Sequence, residues 1–392
     1  MKLYDDLVWR GLIKDMTNND DFIDKLNAGG MTFYLGTDPT ADSLHIGHYS
    51  SLLTVKRLQK AGHHPIILIG GATGLIGDPR PTAEREIIAK ETVLKNIEGI
   101  KKQVIDIFDG DVEVVNNYDW TKDVTLLDFL RDIGKYINVN YMLDKDIIRR
   151  RLETGITFAE FTYTLLQGYD FLHLYQDKNC VMQAAGSDQW GNITTGIELI
   201  NKILDKKAYG FTMPLILDAN GNKFGKSEGN ALWLDKEKTS PYQIYQYLIN
   251  SADSKVEEYL KVFTFLSKEE IEDIMAKHSE KPEERLAQKT LAYEFIKDLH
   301  GKEEADKAKE TSEKIFRGEV TDEMPTFEVS SNNILDVLAE SNLCPSKSEA
   351  RRLVTQGGVT VDNEKILDIE YMCPQEFVLK KGKKNIVKII VK

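Results

Sequence analysis

The sequence predicts an α/β chain: a mostly parallel sheet wrapped by helices, then a helical stretch, then a small α+β module. Three observations carry this. Apolar strands near 31–36, 65–70, 112–116, 180–184 and 213–217 alternate with helical stretches, the pattern of βαβ units. From about residue 240 the strands stop, and charged amphipathic periods such as Lys268–His278 and Pro282–Leu299 read as helices. Gly318, Pro325 and the run Ser330-Ser-Asn-Asn333 then mark a linker before a closing module. The expected boundaries are 1–235 for the sheet domain, 236–318 for the helical domain, 319–332 for the linker and 333–392 for the last module. At 392 residues and 41% hydrophobic content, the chain has material for two or three cores.

Charge and cysteine usage remove several classes of function. The net charge of −12 repels nucleic acid as a whole, but residues 330–392 carry +2, which leaves −14 on the rest. The densest basic run, Lys380-Lys-Gly-Lys-Lys384 with Lys388 and Lys392, is either a solvated face or a local handle for phosphates. Cys180, Cys344 and Cys373 lack the paired spacing of a zinc site or a disulfide framework, so no tightly bound metal is expected. No apolar run reaches membrane-spanning length, and the start Met1-Lys-Leu-Tyr-Asp-Asp-Leu is neither a signal nor a transit peptide. A protein of the reducing cytoplasm without a membrane partner fits these numbers.

The first strand, Thr32-Phe-Tyr-Leu-Gly36, runs into Asp38-Pro-Thr-Ala-Asp-Ser-Leu-His-Ile-Gly-His48 and then into a helix with an apolar stripe at Leu44, Leu52, Leu53, Val55 and Leu58. His45 and His48 lie three positions apart over the helix start, where unpaired N–H groups and the positive dipole end favour phosphate. Gly47 leaves room for a base or ribose, and Asp42 or Ser43 is expected to cap the helix. The second strand, Pro65-Ile-Ile-Leu-Ile69, is followed by Gly70-Gly-Ala-Thr-Gly-Leu-Ile-Gly-Asp78, whose glycines permit close approach to a ligand. The run reads either as a tight turn or as a ligand loop, and in the second case Asp78 is expected as a counter-charge for an ammonium group.

Further on, the helix from Phe158 to Tyr175 places Tyr163, Gln167 and Asp170 at i, i+4 and i+7, among residues unsuited to a solvent coat. A buried polar stripe needs partners, and a small polar ligand supplies them. Gly186-Ser-Asp188-Gln189 follows the strand Cys180–Ala184 at another ligand-facing edge; Asp188 suits ribose hydroxyls or an N-cap. After the strand expected at Met213–Leu217, Lys223-Phe-Gly-Lys226-Ser227 among Gly221, Gly225 and Gly229 reads as a mobile cationic loop. Paired with the histidines, it forms a second clamp for a departing pyrophosphate.

His45-Ile-Gly-His48 and Lys223-Phe-Gly-Lys-Ser227 match the HIGH and KMSKS signatures, and over nearly its whole length the chain resembles the bacterial tyrosyl-tRNA synthetases, of class I. The resemblance implies a Rossmann-like catalytic domain, a helical middle domain and a small C-terminal RNA-binding domain. It also implies activation of L-tyrosine by Mg-ATP to tyrosyl-adenylate and pyrophosphate, then transfer to the 3′ end of tRNA(Tyr), in a homodimer that binds no DNA. Tyr34, Asp78, Tyr163, Gln167, Asp170 and Gln189 fall where the family binds tyrosine. Gly36, Asp38, Gly47, Gly186 and Asp188, with His45, His48, Lys226 and Ser227, fall where it binds ATP. Thr40 and His45 are expected on the γ-phosphate side, His48 on the nucleotide, and Lys223 and Lys226 on the leaving pyrophosphate. In the last module, helix Ser346–Leu353 offers Lys347, Arg351 and Arg352 to tRNA, ahead of the turn and strand Gly357–Val361.

Leu35, Thr37 and the Phe-Gly of the loop depart from the family pattern, and the segment after Asp78 lacks its lysine, which leaves Arg80 or Arg85 rather than Thr82 for that role. Two rival readings are a nucleotidylyltransferase, which shares a His-x-Gly-His cradle, and an RNA-binding or splicing factor that lost the chemistry. Retention of both histidines and both lysines speaks against the second.

Overall fold

An apolar run such as Ile66–Ile69 has no polar face, so it must be covered on both sides, and parallel strands with crossover helices do this. In the computed structural model these four residues are 4% exposed or less. The structure describes all residues except 19–20, 79–87, 153–154, 228–229, 318, 320, 322 and 383–384, and the side chains of 146–147, 226–227 and 230. Arg80, Thr82, Arg85 and Gly229 lie outside the described residues, as do Lys383 and Lys384 and the side chains of Lys226 and Ser227.

Residues 1–240 and 250–291 form one compact unit. Its five-stranded sheet has the order β3-β2-β1-β4-β5, built from β1 (Thr32–Thr37), β2 (His64–Ile69), β3 (Glu113–Asn116), β4 (Cys180–Gly186) and β5 (Tyr209–Met213). All four pairings are parallel. The chain builds outward from β1 to β3 and then returns to add β4 on the other side, so the topological switch lies between β1 and β4. Ligands of such sheets bind beyond the carboxyl ends of the strands at that point. The fifth strand corrects the expected position of 213–217. Pro214 lacks the N–H needed to extend the ladder and Leu215 is 49% exposed, whereas every residue of Tyr209–Met213 is buried. Gly210 within it allows close packing of a helix, since a Cβ there would lie 2.3 Å from Ile193 Cγ2. A short antiparallel pair, β6 (Lys226–Ser227) and β7 (Asn230–Ala231), follows.

Residues 241–249 and 292–392 form the second unit. Its sheet has the order β10-β9-β11-β12-β8, from β8 (Thr326–Val329), β9 (Val359–Val361), β10 (Glu364–Ile366), β11 (Glu376–Lys381) and β12 (Asn385–Val391). Strand β8 lies inside the segment read as a linker and pairs in parallel with β12 from Thr326↔Lys388 to Val329↔Val391. Tyr242, Ile315 and Met324 cluster with Val378 and Ile386, so the helices Pro241–Ile249 and Lys302–Arg317 share a core with this sheet. The helices expected together at 236–318 are thus divided between the two units.

Candidate active site

The Asp38–His48 segment leaves β1 and enters a helix that begins at Ile46, one residue after His45. His45 is therefore the N-cap, in place of the expected Asp42 or Ser43. Its Nδ1 accepts from Gly47 N at 3.1 Å, while His48 Nδ1 accepts from His45 N at 3.3 Å. The two imidazoles form a reciprocal capping box and stack at 3.8 Å and 22°. The donors expected to be free for phosphate are already used. Ile46 N donates to Leu232 O at 2.9 Å, and His48 N to His45 O at 2.8 Å. Donors for an anion at this helix start must therefore come from side chains. A neutral ring that accepts at Nδ1 carries its proton on Nε2, so the donor atom of a neutral His48 is Nε2. Burial, with His45 beside it, pushes His48 down to about 3, which keeps its ring neutral. Packing also requires Gly47: a Cβ would lie 2.8 Å from His45 Cε1 and 3.0 Å from Phe224 O.

The glycine-rich loop after β2 also approaches protein rather than an open cleft. A Cβ at Gly70 would meet Asp38 Oδ1 at 2.2 Å, and one at Gly71 would meet Asn116 Oδ1 at 2.2 Å. The loop delivers Thr73, whose hydroxyl donates to Asp38 Oδ1 at 3.0 Å, while Tyr163 OH donates to Asp38 Oδ2 at 3.1 Å. Asp38, expected on the ATP side, is thus tied to a residue expected on the tyrosine side. Gly36 is open toward the cleft, with only Leu68 Cδ2 at 4.0 Å from an added Cβ.

The polar stripe of the Phe158–Lys178 helix faces inward: Tyr163 is 4% and Asp170 is 2% exposed. Burial raises the Asp170 carboxyl to about 7, against the opposing hydrogen bonds from Asn117 Nδ2 and Trp120 Nε1, both at 2.9 Å. Tyr34 OH is buried without a hydrogen-bond partner among the described residues. Burial, then the Asp170 charge, raise its phenol well above the usual range, so it stays a neutral donor. Gln189 Nε2 donates to Asp78 Oδ2 at 2.7 Å, and Asn192 Nδ2 joins Gln167 Oε1 and Gln189 Oε1, each at 2.9 Å. Asn117, Trp120, Thr73 and Asn192 escaped the sequence reading. For the first two a signal existed, since Asn117-Tyr-Asp-Trp120 follows the carboxyl end of β3. Gln183 was also missed; its amide is buried without a described partner.

Leu217 and Lys223 bridge across a turn in which Asp218 Oδ1 accepts from Asn220 N at 2.9 Å and Asn222 N at 2.8 Å. Beyond β7, Leu234 N donates to Leu44 O at 2.8 Å, and His45 pairs with Trp233 in an isolated bridge. One cavity of ≈ 380 Å³ borders on Tyr34, Asp170, His45, His48, Asp188 and Lys223. Every other residue expected to bind tyrosine or ATP also lines it, as does Thr40, apart from Lys226 and Ser227, whose side chains are not described.

Among the residues expected at tRNA, Arg351 and Arg352 are exposed on the Lys347–Thr355 helix, which Ser346 caps. Lys347 pairs with Asp336 at 2.5 Å, and the basic end is partly engaged as well: Lys388 pairs with Glu376 at 2.6 Å and Lys392 with Glu328.

Residues 26–317 match the model of the class I tRNA synthetases (W and Y), and residues 317–389 match that of the tyrosine–tRNA ligase SYY-like C-terminal domain. A tyrosine–tRNA ligase of Bacillus velezensis is 46% identical over 98% of each chain. One of Streptococcus uberis is 44% identical over 98% of this chain and 99% of its own. Among solved structures, a C-terminally truncated mitochondrial tyrosyl-tRNA synthetase of Aspergillus nidulans matches with a TM-score of 0.70 and 33% identity, covering 80% of this chain and 94% of that one.

Proposed function

The chain belongs to the tyrosyl-tRNA synthetases of class I, enzymes that activate tyrosine with ATP and attach it to tRNA, and we propose from this membership what each residue of the cavity does. The observation that carries the assignment is that one cavity holds the Tyr34–Asp170 pole and the His45–His48–Lys223 group. The phenol of tyrosine donates to the Asp170 carboxylate and accepts from Tyr34 OH, which gives the orphaned hydroxyl its partner. Asp78, oriented by Gln189, receives the ammonium, with Tyr163 and Gln167 beside it. Asp188 reads the ribose, where Gly36 and Gly186 leave the backbone accessible.

In the first step a tyrosine carboxylate oxygen attacks the α-phosphorus of Mg-ATP. The bond to the β-phosphate breaks and pyrophosphate leaves with the electron pair. No protein nucleophile takes part; the residues orient the reactants and offset charge that grows in the transition state. Thr40 and the His45 Nε2–H serve the γ-phosphate side, His48 the nucleotide, and Lys223 and Lys226 the pyrophosphate. In the second step a terminal ribose hydroxyl of tRNA attacks the tyrosyl carbonyl and AMP departs. Arg351 and Arg352 hold a tRNA arm through its phosphates.

Tyrosine-dependent exchange of pyrophosphate into ATP tests the assignment. Exchange with tyrosine and not phenylalanine is the expected result; exchange that ignores tyrosine supports a nucleotidylyltransferase instead.

Two wider proposals accompany this one. The enzyme acts in the cytoplasm, where its tRNA substrate is; among the described residues no helix is long and apolar enough to cross a membrane. It works as a homodimer, a reading supported by Leu126, Leu127, Leu130, Val139, Leu152 and Phe158, all at least 49% exposed on neighbouring elements of the first unit. Sedimentation equilibrium showing a monomer at micromolar concentration would refute the dimer.

A further inference from the structure

The turn that presents Lys223 is held from several sides. The Asp218 turn is closed by its own hydrogen bonds, and Phe224 N donates to Ile216 O at 3.0 Å. Phe224, 3% exposed, then inserts between two rings of the Asp253–Phe263 helix. It stacks on Phe263 at 4.6 Å and 23°, and meets Tyr259 at 4.8 Å and 60°. The Tyr259 hydroxyl donates to Leu217 O at 3.0 Å, so one side chain holds both ends of the turn that presents Lys223.

The socket is itself tied to the helix that bears His48. Arg57, from the last turn of that helix, donates to Val262 O at 3.1 Å and to Thr264 O. Arg10 adds bonds to Lys261 O at 2.8 Å and Leu266 O at 2.7 Å. Two buried guanidinium groups thus satisfy carbonyls at the end of the socket helix, where backbone acceptors are otherwise unpaired.

Gly225 packs against the signature helix. Its φ is +90°, and a Cβ would lie 2.7 Å from Ile46 Cγ1 and 3.0 Å from Gly47 N. The chain therefore turns against the start of the signature helix, in a conformation suited to glycine, immediately before Lys226.

We propose that Phe224 is a pin seated in a socket of Tyr259 and Phe263, and that this socket is a positioning element of the activation step. The socket lies outside both signatures. It keeps Lys223 in register with His45 during catalysis. The proposal rests on reading the cavity as the adenylate-forming site.

The test is single-turnover formation of tyrosyl-adenylate by the full-length enzyme, with tyrosine affinity and urea unfolding measured on each variant. Phe224→Ala is expected to slow adenylate formation at saturating substrates by about 10- to 100-fold, with tyrosine affinity unchanged, because displacing a charged group by an ångström has effects of that order. Phe224→Met, which refills the socket with a flexible apolar side chain, is expected to recover most of the rate. Tyr259→Phe keeps the ring, loses the bond to Leu217 O, and is expected to fall between them.

An unaltered rate in Phe224→Ala overturns the pin, as does a loss of rate, tyrosine affinity and stability together that Phe224→Met fails to recover. If Phe224→Ala does not fold, Tyr259→Phe decides: a rate equal to that of the unaltered enzyme overturns the proposal. Absence of tyrosine-dependent exchange in the unaltered enzyme overturns the site and the pin together. Its presence with unaffected variants overturns the pin alone.

Discussion

Tyrosine binding should depend on pH through a single buried carboxyl, Asp170. Burial pushes it up to about 7; the Asn117 and Trp120 hydrogen bonds oppose this, and the Asp38 charge adds to it. Both Asp170 oxygens already accept from Asn117 and Trp120, so a proton on the carboxyl competes with the phenol for the lone pairs that remain, and the charged acceptor binds more strongly. If apparent affinity follows the ionised fraction, tyrosine should bind about tenfold more weakly at pH 6 than at pH 8. At pH 7, binding should release about half a proton, seen as a dependence of calorimetric enthalpy on buffer ionisation.

The neighbouring phenols and the His48 ring keep one charge state through this window. Burial keeps the Tyr34 and Tyr163 phenols neutral, holds His48 near 3, and lowers His173, which stacks on Trp120. The same shift fixes the sign for stability. The raised Asp170 value gives a contribution fully present below the unfolded value of 3.8 and lost as the pH climbs to about 7, on the order of 4 kcal/mol in all. Asp170→Asn should flatten both the stability trend and the affinity trend. Tyrosine affinity that is level from pH 6 to 8, or an equal slope in Asp170→Asn, would refute the reasoning.

Other outcomes follow from the same geometry. Asp170→Asn should erode discrimination against phenylalanine more than Leu35→Ala does, because phenylalanine strands buried polar groups only at the phenol pole; this family is itself the usual illustration of that rule. Activation rates for both amino acids in both variants check it. Glu160→Ala should destabilise the fold by about 3 to 5 kcal/mol in urea titrations, since it leaves Arg151 charged and buried. Arg151 binds Glu160 through two bonds of 2.8 and 3.0 Å where the helix bearing Tyr163, Gln167 and Asp170 begins. Arg351→Ala and Arg352→Ala should each weaken tRNA binding and lower the salt slope by about 1, with adenylate formation unchanged. A salt slope equal to that of the unaltered enzyme would remove those arginines from the interface.

What the sequence made legible was whatever repeats with a period or recurs as a local pattern. The alternation of apolar runs and helices placed four of five strands, and the two charged clamps stand out at fixed spacing. Met213–Leu217 misled because a Pro-Leu-Ile-Leu run is as apolar as a strand; only Pro214, which ends the ladder, distinguishes it from Tyr209–Met213. Thr326-Phe-Glu-Val329 was hidden by the loop residues around it, since a four-residue alternation is too short to outweigh them. The helix cap was misjudged because Asp42 and Ser43 are the better N-cap residue types, yet neither reaches the first turn. Instead Leu44 N donates to Gln103 Oε1 at 2.8 Å, and Asp42 pairs with Lys238. Asn117, Trp120, Tyr259 and Phe263 escaped because what they support is distant in sequence, and a positioning role becomes visible only when the chain is folded.

The central claim is that imidazoles from the front of the chain and an ammonium group from beyond its middle act on one triphosphate. Single-turnover adenylate formation in His45→Ala and Lys223→Ala, with tyrosine affinity measured in parallel, tests it most directly. The expected result is a large loss of rate in both variants while tyrosine binds as in the unaltered enzyme. An undiminished rate in either, or tyrosine affinity falling in proportion to the rate, would contradict it.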